Sequence, residues 1–285
     1  MSDGVTIPNN EYLIGRAELY VAYDYLLLSE TFCEVAFDGG PVQSRADGFK
    51  LAEDHFTLAI GSVSPLNEAG ADSIINAAQV GRARARLNLG DAQGVLSDAN
   101  AVPEGFVWFA TYDASPSRRR NVVFDIFSGR SSSVPVEYQN LEVQGVADPR
   151  VQAHATGQLA TDGVNQHWMQ DKYPSRSADI PMASWREAQL MIAEVEGGQT
   201  AVNIINVLRD TYSLPNFSST DAAEIEAQVQ EERRRELWLQ GARMGDMLRW
   251  NLPFATGVDH RGRAYGIGTC APLPQPEQFG NTNIG

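Results

Sequence analysis

The chain has 285 residues, a net charge of −14, and 43% hydrophobic against 20% charged residues, the make-up of an ordinary globular protein able to bury about 75% of its surface. That charge argues against a nucleic-acid partner, whose phosphates call for clustered Lys and Arg; Lys50 and Lys172 are the only lysines. No run of about 18 apolar residues codes a membrane span, and the opening MSDGVTIPNN lacks the charged and apolar regions of a signal peptide.

Helix-compatible, strongly apolar sequence runs from Glu11 to Phe37 and stops at Gly39-Gly40-Pro41. Further helices fit Arg45 to Ile60, Asp72 to Leu89 (closed by Gly90), and Asp91 to Ala101 ahead of Pro103. Within them lies the tetratricopeptide pattern, a small residue, then a bulky one four later, then a small one three later. Ala52, Phe56 and Ala59 fit it, and Ala92, Leu96 and Ala99 fit it again, with Gly81 on the preceding helix. A third pair starts at Pro181, with Trp185, Ala188, Gln189 and Ile192 on its first helix and Ala201, Ile205 and Leu208 on its second. Small residues let paired helices approach closely, and bulky ones fill the gap to the next pair. The expected architecture is therefore mainly α: stacked tetratricopeptide-like helix pairs over 11–103 and 181–250, an insert over 104–180, and an irregular tail over 251–285 that wraps the helical body. All of it reads as one domain.

The insert, Glu104 to Ile180, carries two strand-like runs, Phe106 to Tyr112 and Asn121 to Phe127, which could pair as a hairpin across a Ser/Pro/Arg turn. Ser/Gly/Pro-rich loops follow, and a connection this long inside a compact domain is usually functional. Arg118-Arg119-Arg120 reads as a solvated loop.

The stretch Glu231 to Trp250, EERRRELWLQGARMGDMLRW, reads as one helix whose start is signalled by Asp221 with Glu224 three residues on. Leu237, Gly241, Met244 and Leu248 form its apolar stripe. It serves as the first helix of a fourth pair. Glu232, Glu236, Arg243 and their neighbours could be a solvated face or a buried ion-pair lattice. The interleaved Leu237, Trp238, Leu239, Met247 and Trp250 favour the lattice, because Arg pairs bidentately with carboxylates. Asp246 and Arg249, three apart, can pair.

No constellation for catalysis stands out. His55, His154, His167 and His260 have no HExxH or Gly-x-Ser-x-Gly context, and no Gly-rich loop precedes a helix. Neither a metal ligand set nor a cofactor site is marked, so the expectation is a protein that is not an enzyme. Cys33 and Cys270 show neither metal spacing nor a disulfide framework, and Cys33 reads as a small core residue. The insert instead concentrates rings: Phe106, Trp108, Phe109, Tyr112, Tyr138, Trp168 and Tyr173. Rings on loops suit stacking on sugars or peptide side chains. The candidate ligand residues are Trp108, Tyr112, Tyr138, Trp168 and Tyr173. Trp108 fits a hairpin core and a ligand platform equally well, while Trp168 and Tyr173 stand in polar surroundings.

These features together resemble the SusD/RagB-like family. ERRRELWLQGARMGDMLRW at 232–250 is similar to that family's Arg-rich run ending in Asp-x-x-Arg-Trp. Phe37-Asp38-Gly39-Gly40-Pro41, Ala147-Asp148-Pro149-Arg150, Arg176 to Glu194, and Ala271 to Glu277 followed by Asn281 resemble further family elements in order. Leu273 stands where Ile is usual, and Trp238-Leu239-Gln240 replaces an Ala-Phe-Glu-like run. Members are usually longer, with a lipoprotein signal and anchoring Cys, so this chain reads as an N-terminally shortened form.

The resemblance implies a nutrient-binding lipoprotein of the bacterial cell outer membrane, surface-exposed and lipid-anchored through a segment absent from this sequence. It would take up glycans, oligosaccharides or a peptide and pass them to a TonB-dependent (SusC-like) transporter. The family's ligand residues are not carried on a shared motif, so none transfers. The rival reading is an intracellular tetratricopeptide scaffold binding a partner peptide, which leaves the insert and the proline-rich tail unexplained.

Overall fold

The computed structural model describes residues 10–259, 261–266 and 268–284. The first nine residues of the N-terminal stretch, His260, Ile267 and Gly285 lie outside them.

Helix α1 (Asn10–Thr31) turns back through a small ladder, β1 (Glu34–Val35) on β2 (Gln43–Ser44), into α2 (Arg45–Val63). Ser44 caps α2 in a full capping box with Asp47. Gly15 meets Val63, and Gly48 meets Ser29, so α1 and α2 run antiparallel. Next come α3 (Ala71–Leu89), closed by Gly90, and the short α4 (Ala92–Ala99).

The insert contributes β3 (Val107–Ala110), α5 (Val122–Ser128), the small ladder β4 (Glu142–Val143) with β5 (Val146–Ala147), and the hairpin β6 (Ala153–Leu159) with β7 (Gln166–Gln170). Strand β8 (Ile180–Ser184) leads directly into α6 (Trp185–Glu196), whose N-cap is Ser184. Helices α7 (Gly198–Asp210), α8 (Ala222–Glu236), α9 (Arg243–Arg249) and α10 (Gln275–Gly280) complete ten helices among the described residues.

The small-bulky-small pattern has the expected physical content. Ala52, Phe56 and Ala59 are all fully buried. The Phe56 ring lies edge-on to Tyr23, with centroids 5.0 Å apart. It also presses on Gly81 so closely that a Cβ there would stand 2.2 Å from the ring. In the third pair Ala188, Ala201, Ile205 and Leu208 are fully buried, and α6 and α7 form over the expected residues. The second pair differs: Ala92 is exposed, and α4 buries Val95, Asp98 and Ala99 instead. Asp98 faces inward because Arg82 and Arg86 both grip its carboxylate.

Four expectations are corrected. Helix α1 ends at Thr31 rather than Phe37, because the next residues bond to the tail: Cys33 N donates to Ala271 O and Ala271 N to Thr31 O. The two cysteines are joined as a disulfide across a separation of 237 residues, so Cys33 is not a lone core thiol. That link lay beyond spacing arguments, since only folding brings the two ends together. The insert hairpin does not form. Val107–Ala110 pairs instead with Ile180–Ser184, and Val122–Ser128 is helical because Asn121 caps it with its side chain.

The fourth correction concerns 231–250, which is two helices, not one. The chain breaks between α8 and α9, with Leu239 at φ 58° and Gly241 at φ 80°. The break swings Trp238 away from the helix line into the insert's own core, beside Phe127, Val134 and Val151. The single stripe through Leu237, Gly241, Met244 and Leu248 is thereby lost. Asp221 does cap α8 as expected, accepting from Glu224 N at 2.9 Å.

The charge cluster is a buried lattice. Glu232, Arg233, Glu236 and Asp246 are each at most 5% exposed. Glu232 accepts from Arg150, from Arg209 and from Gln228. Arg233 reaches Asp246 at 3.0 Å, Asp246 accepts from Arg249 at 2.8 Å, and Arg249 forks onto Glu194. Burial alone would raise the pKa of Asp246, yet Arg233 and Arg249 hold it below the usual carboxylate range.

Two measurements test this packing. Gly81→Ala gains about 1 kcal/mol of helix propensity but overpacks against Phe56 at a cost of about 1–3 kcal/mol, so the urea midpoint should fall; a rise would contradict the contact. Cys270→Ser should lower stability by about 2–4 kcal/mol, read from the same denaturation curves, and an unchanged midpoint would mean that the tail is held without the bond.

Candidate functional site

The insert leaves and rejoins the helical frame at one place. Strand β3, at its start, pairs antiparallel with β8, at its end, from Val107 opposite Ser184 to Ala110 opposite Ile180. Between them the insert builds a core of Phe127, Val134 and Val151 around Trp238. Asn121, fully buried, ties α5 to the returning chain through Nδ2 to Ala178 O at 2.7 Å. Lys172 anchors the other side, its Nζ donating to Glu236 O and Trp238 O at the end of α8.

This framework sorts the five candidate rings. Trp168, half-buried on β7, lines an open cleft of about 470 Å³. Tyr138 belongs to the same cluster but is occupied from two sides: it stacks on Trp238 at 6.0 Å, and the Arg234 guanidinium lies 4.5 Å from its centroid. Trp108 packs against the helical core rather than in a hairpin. Tyr112 is half-buried, with its backbone N–H donating to Asp179. Tyr173 is only 2% exposed, its hydroxyl reaches Leu239 O, and burial pushes that hydroxyl's pKa up. The structure thus takes the Tyr173 ring off the surface.

The cleft beside Trp168 is built mostly from groups that carry no charge. Ser131, Ser132 and Ser133 line one part, and Thr161 and Asn165 from the β6–β7 turn with Gln166 at the start of β7 line another. Ser133 Oγ accepts from Trp168 N at 2.8 Å and so fixes the serine part against β7. Asp162 accepts from Val164 N and Asn165 N and shapes the turn. Gln139 enters from the insert's second loop and donates to Val134 O. Hydroxyls and amides each both donate and accept, which suits ligands rich in hydroxyl groups, and the Trp face can take the apolar side of a ring.

These hydroxyl and amide residues escaped sequence reasoning. Their one signal was membership of Ser/Gly/Pro-rich loops in a long insert, which does not say which loops converge. The insert histidines lie elsewhere: exposed His154 pairs with Asp171 at 2.9 Å, and buried His167 faces Thr156 at 3.1 Å. Among the described residues no three His, Cys, Asp or Glu side chains gather as metal ligands, and no helix is long and apolar enough to cross a membrane.

The fold has close counterparts among solved structures. A SusD-like carbohydrate binding protein from Bacteroides vulgatus ATCC 8482 superposes with a TM-score of 0.74 at 13% identity, covering 99% of this chain and 78% of that one. Surface glycan-binding protein A from Bacteroides uniformis gives 0.69 at 14% identity, covering 98% and 78%. A SusD-like carbohydrate binding protein from Bacteroides fragilis NCTC 9343 gives 0.67 at 16% identity, covering 96% and 79%. No curated protein sequence matches the chain. The model of the SusD family matches residues 115–272, a span running from the insert through the buried arginine lattice into the tail, and the chain belongs to the SusD family.

Proposed function

We propose that this chain is a non-catalytic glycan-binding protein of the bacterial cell surface, holding oligosaccharides for delivery to a TonB-dependent outer-membrane transporter. The observation that carries the reading is the Trp168 cleft, where an aromatic face stands among serine, threonine and amide groups. Such a lining recognises neutral hydroxyl-rich rings and has little to offer a charged or wholly apolar ligand. Membership of the SusD family and the glycan-binding descriptions of structural neighbours support the same class.

The Cys33–Cys270 disulfide supports an exported protein, since such bonds persist in oxidising compartments and are rare in the cytosol. It weighs against the intracellular tetratricopeptide scaffold. Lipid anchoring at the outer membrane, through a segment outside this sequence, completes the proposal, as does the organisation of the chain as one SusD/RagB-like domain.

Calorimetric titration with a panel of neutral oligosaccharides tests the ligand. Trp168→Ala should weaken binding roughly 2- to 10-fold, the worth of one stacked ring. Tyr173→Phe, whose ring is sealed inside, should leave affinity unchanged. A folded sample that binds no glycan in the panel would overturn the reading. For delivery, affinity-tagged chain recovered from detergent-extracted outer membranes should carry a TonB-dependent transporter with it; recovery among cytosolic proteins would favour the scaffold instead.

A further inference from the structure

A second cleft, of about 390 Å³, opens where β3, β8 and the end of α8 meet. None of the residues lining it lines the Trp168 cleft. The two lie toward opposite ends of β7: Gln166 and Trp168 border the first, while Asp171 and Lys172, just past the strand, border the second.

Its cations set it apart. The buried guanidiniums are forked onto carboxylates: Arg150, which also borders this cleft, on Asp148, and Arg84 on Glu30, Arg209 on Glu232 and Arg233 on Asp246, although Arg233 Nη1 is left without a hydrogen-bond partner. Arg186, at the second cleft, is not. Its Nη2 donates to Thr211 Oγ1, its Cζ lies 4.7 Å from the Tyr212 centroid, and Nη1 stands 3.6 Å from Glu236 Oε1, beyond hydrogen-bond range. Buried Nη1 has no protein hydrogen-bond partner. Lys172 spends two of its three N–H groups on backbone carbonyls, and no carboxylate among the described residues lies in ion-pair range of it.

The cleft's own anions are Asp171 and Glu236, the latter with a buried Oε2 that has no hydrogen-bond partner. Asp171 is engaged by His154. Glu236 accepts from Tyr212 Oη at 2.9 Å and lies 3.7 Å from Arg150, itself matched by Asp148 and Glu232. Three cations, Arg150, Arg186 and Lys172, thus line the cleft beside two carboxylates, Glu236 and Asp171, inside a chain whose net charge is −14. One wall is apolar: Phe109 is 45% and Val107 37% exposed, with Pro181 beside them.

We infer that this cleft takes the carboxylate of an acidic saccharide, a uronic acid, with Arg186 and Lys172 facing the carboxylate and Phe109 against the sugar ring. A planar guanidinium with uncommitted N–H groups is the side chain best matched to a carboxylate. The site adds charge selection to the glycan reading and rests on that reading only for the choice of saccharide probes.

The chain's two lysines make the test direct. With lysine labelled at 13Cε, the spectrum holds one signal from Lys172 and one from Lys50, a surface residue paired with Glu53 and Asp54 that serves as internal control. Burial pushes the Lys172 pKa down to about 8, with Glu236 opposing and Arg150 assisting. The intact chain is titrated with trigalacturonate and trimannuronate and with their methyl esters, in which each carboxylate charge is replaced by a neutral methyl ester.

The acids should bind at least about tenfold tighter than the esters, as expected of a charge-assisted pair. They should also raise the Lys172 titration while leaving Lys50 in place. Arg186→Met should bring the acid-to-ester ratio near one. Should that variant not fold, Phe109→Ala, altered only at an exposed ring, should weaken acid binding. Equal affinity for acid and ester, an unmoved Lys172 signal, or an unchanged ratio in Arg186→Met overturns the inference, as does full-strength acid binding by Phe109→Ala.

The two readings fail separately. Neutral glycans bound through Trp168 with no preference for acids leave the proposed function standing alone. Arg186-dependent acid binding without any neutral binding leaves this site standing and removes the Trp168 cleft. Binding of neither class removes both.

Discussion

Glu232 is fully buried, and three elements bring partners to its carboxylate. Arg150 comes from the insert, Arg209 from the end of α7, and Gln228 from one turn earlier on α8 itself. Breaking such a group by removing one partner strands an uncompensated charge and typically costs about 3–5 kcal/mol, whereas the intact group need add little net stability. Its contribution is to geometry: insert, third helix pair and α8 must meet in one arrangement or leave a charge unpaired. A second set of pairs, beginning at the very next residue of α8, does the same among the helices. Glu30 on α1, Arg84 on α3 and Glu187 on α6 are linked, and Arg233, Asp246, Arg249 and Glu194 join α8, α9 and α6.

This rigid centre explains how a loop-rich insert can carry precise contacts. The insert is held at its root by the β3–β8 pair, at its side by Arg150, and at its core by Trp238, which the break after α8 delivers into it. Both clefts border the β6–β7 hairpin, so neither depends on a loop that hangs free. One is lined mainly by neutral groups beside a Trp face, while the other has cations left over from the lattice. The Trp168 cleft shares no residue with the lattice, whereas the second cleft is bordered by the lattice's own Arg150 and Glu236.

How far the sequence could be read depends on the range of each interaction. Phe56 and Gly81 were legible because the helical pattern repeats at close spacing and each match restates the same packing rule. The third pair followed for the same reason, and the capping of α8 by Asp221 was readable three residues at a time. The hairpin failed because Phe106 to Tyr112 is a good strand with no label for its partner, and β8 lies about seventy residues away in the chain. Asn121 to Phe127 has strand-like composition, yet its capping side chain makes it a helix. Tyr173 looked exposed because its sequence neighbours are polar, but its hydroxyl turns inward to Leu239 O, a contact that only folding supplies.

By itself the sequence determined the helical scaffold, the family signature and the burial of the arginine-rich stretch, since these rest on local periodicity and on the pairing chemistry of Arg with carboxylate. The tertiary structure alone decided the disulfide between Cys33 and Cys270, the break that sends Trp238 into the insert, and which rings face solvent. It also decided that Ser131 to Ser133 meet Asn165 and Gln166, and that Arg186 and Lys172 share a cleft. Each of these joins residues that are distant along the chain, and a contact of that kind is set by how whole elements pack, which no short window of residues encodes.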